Sequence, residues 1–140
     1  MHLKRALRAG AILLATVASA QSPTMKQLMV DLIYPASNDI LLLTSRGGPQ
    51  TDEEWAAARR SALALAESGN VLLARGRALD QGDWPRKVQL LVDAGSAAYQ
   101  AVLAKDTKKL AAQADAIDRS CTNCHRQYRP NVFPRDGGSK

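Results

Sequence analysis

Cysteine, histidine and aromatic side chains are scarce in this sequence, with two Cys, two His, one Phe, two Trp and three Tyr in 140 residues. Two thiols cannot build the several bridges of a disulfide scaffold. One of the two imidazoles, His2, falls in a leader segment described below, which leaves His125 alone. The chain therefore supplies neither the four N or S ligands of a structural zinc site nor a Ser-His-Asp set. A glycine-rich phosphate loop is missing, and so are the alternating runs that mark strands. No apolar stretch reaches the roughly 20 residues of a membrane span. Hydrolase chemistry and a membrane-spanning protein are disfavoured together.

What is present begins with a leader. Residues 1–20 open on Lys4, Arg5 and Arg8, run through AGAILLATVA and close on Ala18-Ser19-Ala20, the pattern of a cleavable secretory signal peptide. Lys4-Arg5 is not a twin arginine and no cysteine lies near the cleavage point, so neither folded export nor a lipid anchor is indicated. The expected product is a soluble, exported, periplasmic chain of residues 21–140. Three of the 19 basic residues and none of the 13 acidic ones leave with the leader, so sixteen basic face thirteen acidic residues, a net charge of +3. That balance argues against nucleic acid as a partner. It fits ordinary solvated faces or encounters with acidic protein surfaces.

The mature chain reads as one domain of four amphipathic helices. Leu28, Met29, Leu32, Ile33, Ile40, Leu41 and Leu43 recur at helical spacing between Pro23 and Arg46, with a kink or break expected at Pro35. Gly47-Gly48-Pro49 stops this first helix. Thr51 and Glu54 form a capping box for a second, whose stripe from Trp55 through Leu65 and Leu72 runs towards Leu79. Pro85 suits the first turn of a third, carrying Val88, Leu91, Val92, Gly95, Tyr99 and Val102 to about Lys105. Asp106 caps a fourth, with Leu110, Ala114, Ile117, Cys121 and Tyr128 on its apolar face and Pro130 at its end. Short connections between four such helices favour an all-α, antiparallel up-down-up-down four-helix bundle. Residues 129–140, RPNVFPRDGGSK, read as a loose tail.

Both cysteines lie in one motif, Cys121-Thr122-Asn123-Cys124-His125. On a helix, positions i, i+3 and i+4 share one side, so the thiols and the imidazole project together along the core-facing stripe. Zinc would have to borrow further ligands. A redox-active CXXC belongs at a helix N-terminus, where the dipole lowers a thiol pKa, whereas this one lies near a C-terminus. Covalent haem uses both thiols and takes the adjacent His125 as an iron ligand. The spacing thus points to one haem c attached through Cys121 and Cys124.

A signal peptide, four amphipathic helices and a C-terminal CTNCHRQYR (Cys121 to Arg129) resemble the cytochrome c prime superfamily, the class II c-type cytochromes. The resemblance spans the mature chain, and CXXCH is its one highly specific motif. It implies a haem between the helices, His125 as proximal ligand and Arg129 as a basic group near the haem edge. Such proteins divide on the sixth coordination position, apolar in gas-binding members and methionine in low-spin ones. In an antiparallel bundle the residue opposite His125 comes from the first turns of the first helix, where Met25 and Met29 stand four apart. A thioether is a soft ligand suited to haem iron. Met29 is the first choice, in the stripe with Leu28 and Leu32, and Met25 the second; Leu28 or Leu32 as an apolar distal residue is the competing arrangement.

Two function classes follow. His/Met ligation implies a one-electron carrier with a redox partner protein, and a vacant distal face implies a binder of small gases such as nitric oxide or carbon monoxide. An enzyme would need distal acid-base groups, and the first helix offers only Lys26, Gln27 and Asp31 there. A non-enzymatic role is expected, and a homodimer through the first two helices is compatible with the pattern. Arg119, Arg126, Trp55 and Trp84 are weaker candidates for contact with the haem.

Overall fold

Thr24 starts the first helix by a reciprocal pair of bonds. Its Oγ1 accepts the Gln27 N–H at 3.2 Å, and its own N–H donates to Gln27 Oε1 at 2.9 Å. The computed structural model describes residues 22–74 and 76–131; the expected leader, and the tail from 132 onward, lie outside them. The helix that follows, α1, consists of an α-helical turn Met25–Leu28, a π-helical segment Met29–Ile33 and an α-helical stretch Tyr34–Ser45. The break expected at Pro35 takes this form: the path stays helical, and the Tyr34 N–H reaches back five residues to Met29 O. Pro35 has no N–H for the Asp31 carbonyl, and its ring would press on that carbonyl in a regular α turn. The wider π turn makes room. At the other end Gly47 donates to Thr44 O and Gly48 to Leu43 O, with φ of 93° and 96°, the paired bonds of a Schellman motif in which glycine bears the left-handed backbone.

Helix α2, Asp52–Leu72, is capped by Thr51 Oγ1, which accepts the Glu54 N–H at 3.2 Å. The Glu54 carboxylate takes the Gln50 N–H at 2.6 Å, so the return bond goes one residue earlier than a capping box on Thr51 would have it. Asp52, Glu53 and Glu54 place negative charge against the positive end of the helix dipole. The helix ends at Leu72, short of the expected Leu79. Its last carbonyls are claimed by side chains from beyond it: Trp84 Nε1 donates to Leu72 O at 3.0 Å and Arg77 Nη1 to Val71 O at 3.1 Å. Those bonds satisfy orphan acceptors and turn the chain aside.

Helix α3, Asp83–Leu103, has no side-chain cap on its N-cap Gly82. Asp80 serves instead, its Oδ1 accepting the N–H groups of Gly82 at 2.9 Å and Trp84 at 3.0 Å. Helix α4, Thr107–Tyr128, is capped as expected by Asp106, which accepts the Lys109 N–H at 2.9 Å. The four helices pack against one another, α1 on α2 and α4, and α3 on α2 and α4, with no strand among the described residues. Ile40, Leu65, Leu110 and Ile117 are fully buried at the centre.

The tightest seam joins α2 and α3. A Cβ on Gly95 would stand 2.6 Å from Ala66 N and 2.7 Å from Leu65 C, and backbone cannot yield as the tip of a side chain does. Gly95→Ala is therefore expected to lower stability by about 1–3 kcal/mol, the range for overpacking, as measured by urea unfolding. An unchanged midpoint would mean that α2 and α3 are not held this close.

Candidate functional site

Helices α1, α3 and α4 surround a cavity of about 240 Å³. One water needs roughly 10–15 Å³ of such space, so this is room for a large group. The walls are mainly apolar: Ile33 and Leu41 from α1, Val88 and Leu91 from α3, and Leu72 and Trp84 where α2 and α3 meet. Cys121, Cys124 and His125 border the same cavity from α4, and Met29 borders it from α1. The amphipathic spacing of α4 explains the first three, since Leu110, Ala114 and Ile117 bury the same face three, two and one turns before Cys121.

The titrating groups respond to burial. Desolvation pushes the Cys121 thiol up, and it pushes the Cys124 thiol up against an opposing pull from the charge of Lys87. Such thiols are poor thiolates, the reverse of a reactive CXXC pair. Burial also pushes His125 below its usual value, with the Arg129 charge adding to the effect. The neutral imidazole, the form that coordinates metals, is thereby favoured. Among the described residues no group of three His, Cys, Asp or Glu is arranged to hold a metal ion.

The other sequence candidates are dispersed. Met25 lines a separate recess with Thr24, Arg77 and Leu79, one turn from Met29. Leu28 is buried and Leu32 half-buried, and neither lines the cavity. Arg129 is exposed at the C-cap of α4, where its backbone N–H donates to His125 O at 2.7 Å, and it too lies off the cavity wall. Arg119 and Arg126 are exposed, and Trp55 packs elsewhere on the core.

Three features had no signal in the sequence because they pair residues far apart in the chain. Lys87 Nζ donates to Asn123 Oδ1 at 2.8 Å and to Asn123 O at 3.2 Å, tying α3 to the middle of the CTNCH motif. The rings of Trp84 and Tyr128 meet edge to face, 5.1 Å apart at 81°. The Tyr128 hydroxyl donates to Asp80 Oδ2, and Gln127 Nε2 to Asp83 Oδ2 at 3.1 Å. These bonds fasten the last turn of α4 to the start of α3, beneath the thiols and the imidazole. No helix among the described residues is long and apolar enough to cross a membrane. No protein-family model, curated protein or solved structure matches the chain.

The Tyr128–Asp80 bond has a pH signature. Desolvation, then the bond to Asp80, pushes the Tyr128 hydroxyl up from 10.0 to about 12. The unfolded chain then loses this proton before the folded one does, so stability is fully present below pH 10 and falls as pH rises through about 12. Tyr128→Phe should flatten that alkaline limb in unfolding experiments at fixed salt. A limb that survives in Tyr128→Phe would assign it to another group.

Proposed function

We propose that this chain is an exported class II c-type cytochrome that carries one covalent haem c and transfers single electrons. The observation that carries the reading is the gathering of two thiols, one imidazole and one thioether around a single apolar cavity. The donor set fits the group. Cys121 and Cys124 would hold it by thioether bonds, and His125 in its neutral form and Met29 would ligate its iron. Met29 shares the cavity with His125, whereas Met25 lines another recess, which supports the order of the two. When bound, haem supplies an iron centre that accepts and returns one electron. The chain's own work is to keep water from that centre with Ile33, Val88 and Leu91, and to present ligands that change little between oxidation states.

An up-down-up-down topology belongs to this reading. Asp83 bonds Gln127 while Lys87 bonds Asn123, a pairing that runs in opposite sequence directions and supports antiparallel α3 and α4. Similarity to the cytochrome c prime superfamily rests on the CTNCHRQYR motif and this helical frame, and periplasmic export on the leader sequence.

Protein made alongside a haem-attachment system should keep its colour after denaturation and acidic organic extraction, and Cys121→Ala with Cys124→Ala should lose it. Colour that leaves the wild-type polypeptide would overturn the haem reading.

The distal ligand is tested separately by spectra of the holoprotein in both oxidation states. Low-spin iron with a methionine-to-iron charge-transfer band is expected. Met29→Ala should become high-spin, bind carbon monoxide readily and shift to lower reduction potential, since a thioether favours the ferrous state; Met25→Ala should keep the wild-type spectrum. A wild type that is already high-spin and binds carbon monoxide at once is instead a gas binder with a vacant distal face.

A further inference from the structure

The recess that holds Met25 has a volume of about 450 Å³ and is lined by residues next in sequence to those of the cavity wall. Met25 stands one helical turn before Met29, and Ala74, which also lines the recess, follows Leu72 of the cavity wall by two residues. Among the described residues its cation is Arg77, half-buried in the α2–α3 connection. Two carbonyls fix the guanidinium, Val71 O at 3.1 Å from Nη1 and Pro23 O at 3.2 Å from Nη2. Two of its five N–H donors are thus committed to neutral acceptors, and among the described residues no carboxylate pairs with its charge.

The chemistry of haem says which part of it faces this end. Its two vinyl groups, the ones that thiols attack, lie on the edge opposite its two propionates. Cys121 and Cys124 both precede His125 along α4, so a haem held by all three would have its propionate edge on the C-terminal side of the motif. The Tyr128–Asp80 and Gln127–Asp83 bonds join that end to the α2–α3 connection, and Arg77 bonds the chain just before α1. We propose that Arg77 is the cation that receives a haem propionate, a positioning role that rests on the covalent haem reading above. The fork of a guanidinium matches a carboxylate in two parallel bonds, and anchoring by two backbone carbonyls lowers the entropy lost on pairing. Arg129, the basic residue implied by family resemblance, is exposed beyond the last turn of α4 and has no such anchorage.

The test uses holoprotein grown with carbon-13 in the propionate carboxylates, read by redox-difference infrared spectroscopy and by potentiometry. Arg77→Met should shift the labelled carboxylate bands and lower the reduction potential, because an unneutralised propionate opposes addition of an electron. Arg77→Lys keeps the charge without the fork and should shift the bands in the same direction by less. Arg129→Met should leave them in place. A role confined to holding the connection would change the unfolding midpoint of Arg77→Met but not the labelled bands. Bands unmoved in both Arg77 variants, or moved by Arg129→Met alone, would overturn the proposal while a covalently coloured wild type left the haem reading standing; a wild type without covalent haem would sink both.

Discussion

Trp84 is where the site end of this protein is held together. Its backbone N–H is taken by Asp80, its indole N–H closes the carbonyl end of α2 at Leu72, and its ring meets Tyr128 of α4 edge-on. One side chain, 2% exposed, therefore begins α3, ends α2, floors the cavity and braces the helix that carries the thiols. Each polar link contributes only about 1 kcal/mol net, but leaving the Leu72 carbonyl buried without a donor would cost about 1–3 kcal/mol. An aromatic pair of this geometry adds about 0.5–1.5 kcal/mol beyond burial. The direction of His125 relative to α1 and α3 follows from this junction, since the motif lies within the last two turns of the helix that Trp84 and Asp80 hold down.

That rigidity matters because the cavity is built to work against ionisation. Its walls raise two thiol pKa values and lower that of an imidazole, all three shifts favouring neutral forms. Neutral thiols and neutral imidazole suit a site that makes permanent bonds to an apolar macrocycle, and they suit neither a disulfide oxidoreductase nor a general base at work in water. Two charged residues, Lys87 and Asp118, also border the cavity. Lys87 is turned towards Asn123, and Arg77 stands in the neighbouring recess with its guanidinium clamped by carbonyls. A mainly apolar centre with cations beside it is compatible with the proposed haem, whose iron has an anionic periphery.

Local chemistry was legible in the sequence, and long-range chemistry was not. Thr51, Asp106 and the pair Gly47-Gly48 act within a few residues of themselves, and each stands at the helix boundary read from the pattern. The CTNCH motif was readable for the same reason, because its geometry is set by one helix. The end of α2 was misjudged by seven residues because the groups that stop it, Trp84 and Arg77, act from beyond the helix. Arg129 was named from the family resemblance and its neighbourhood in sequence, while Lys87 comes to the site only through the packing of another helix. Even the shape of α1 had a local cue: buried Leu28 and Ile33 are five apart, a spacing that suits a π turn and fits an α-helix poorly.

The π turn also explains why Met29 is the steadier of the two methionines. If α1 were α-helical back from Ile33, residues three, four and seven earlier would share its face at 3.6 residues per turn. Those are Val30, Met29 and Lys26. In the structure Val30 is 56% exposed and Lys26 faces out, while Leu28 is buried and Met25 half-buried. One extra residue in the turn therefore exchanges Val30 for Leu28 and Lys26 for Met25, and it spares the core a lysine whose burial would be costly. Met29 belongs to both registers. The disturbance that Pro35 introduces falls on the residues flanking it, and Met29, which borders the cavity as His125 does, stays on the inner face in either form of the helix.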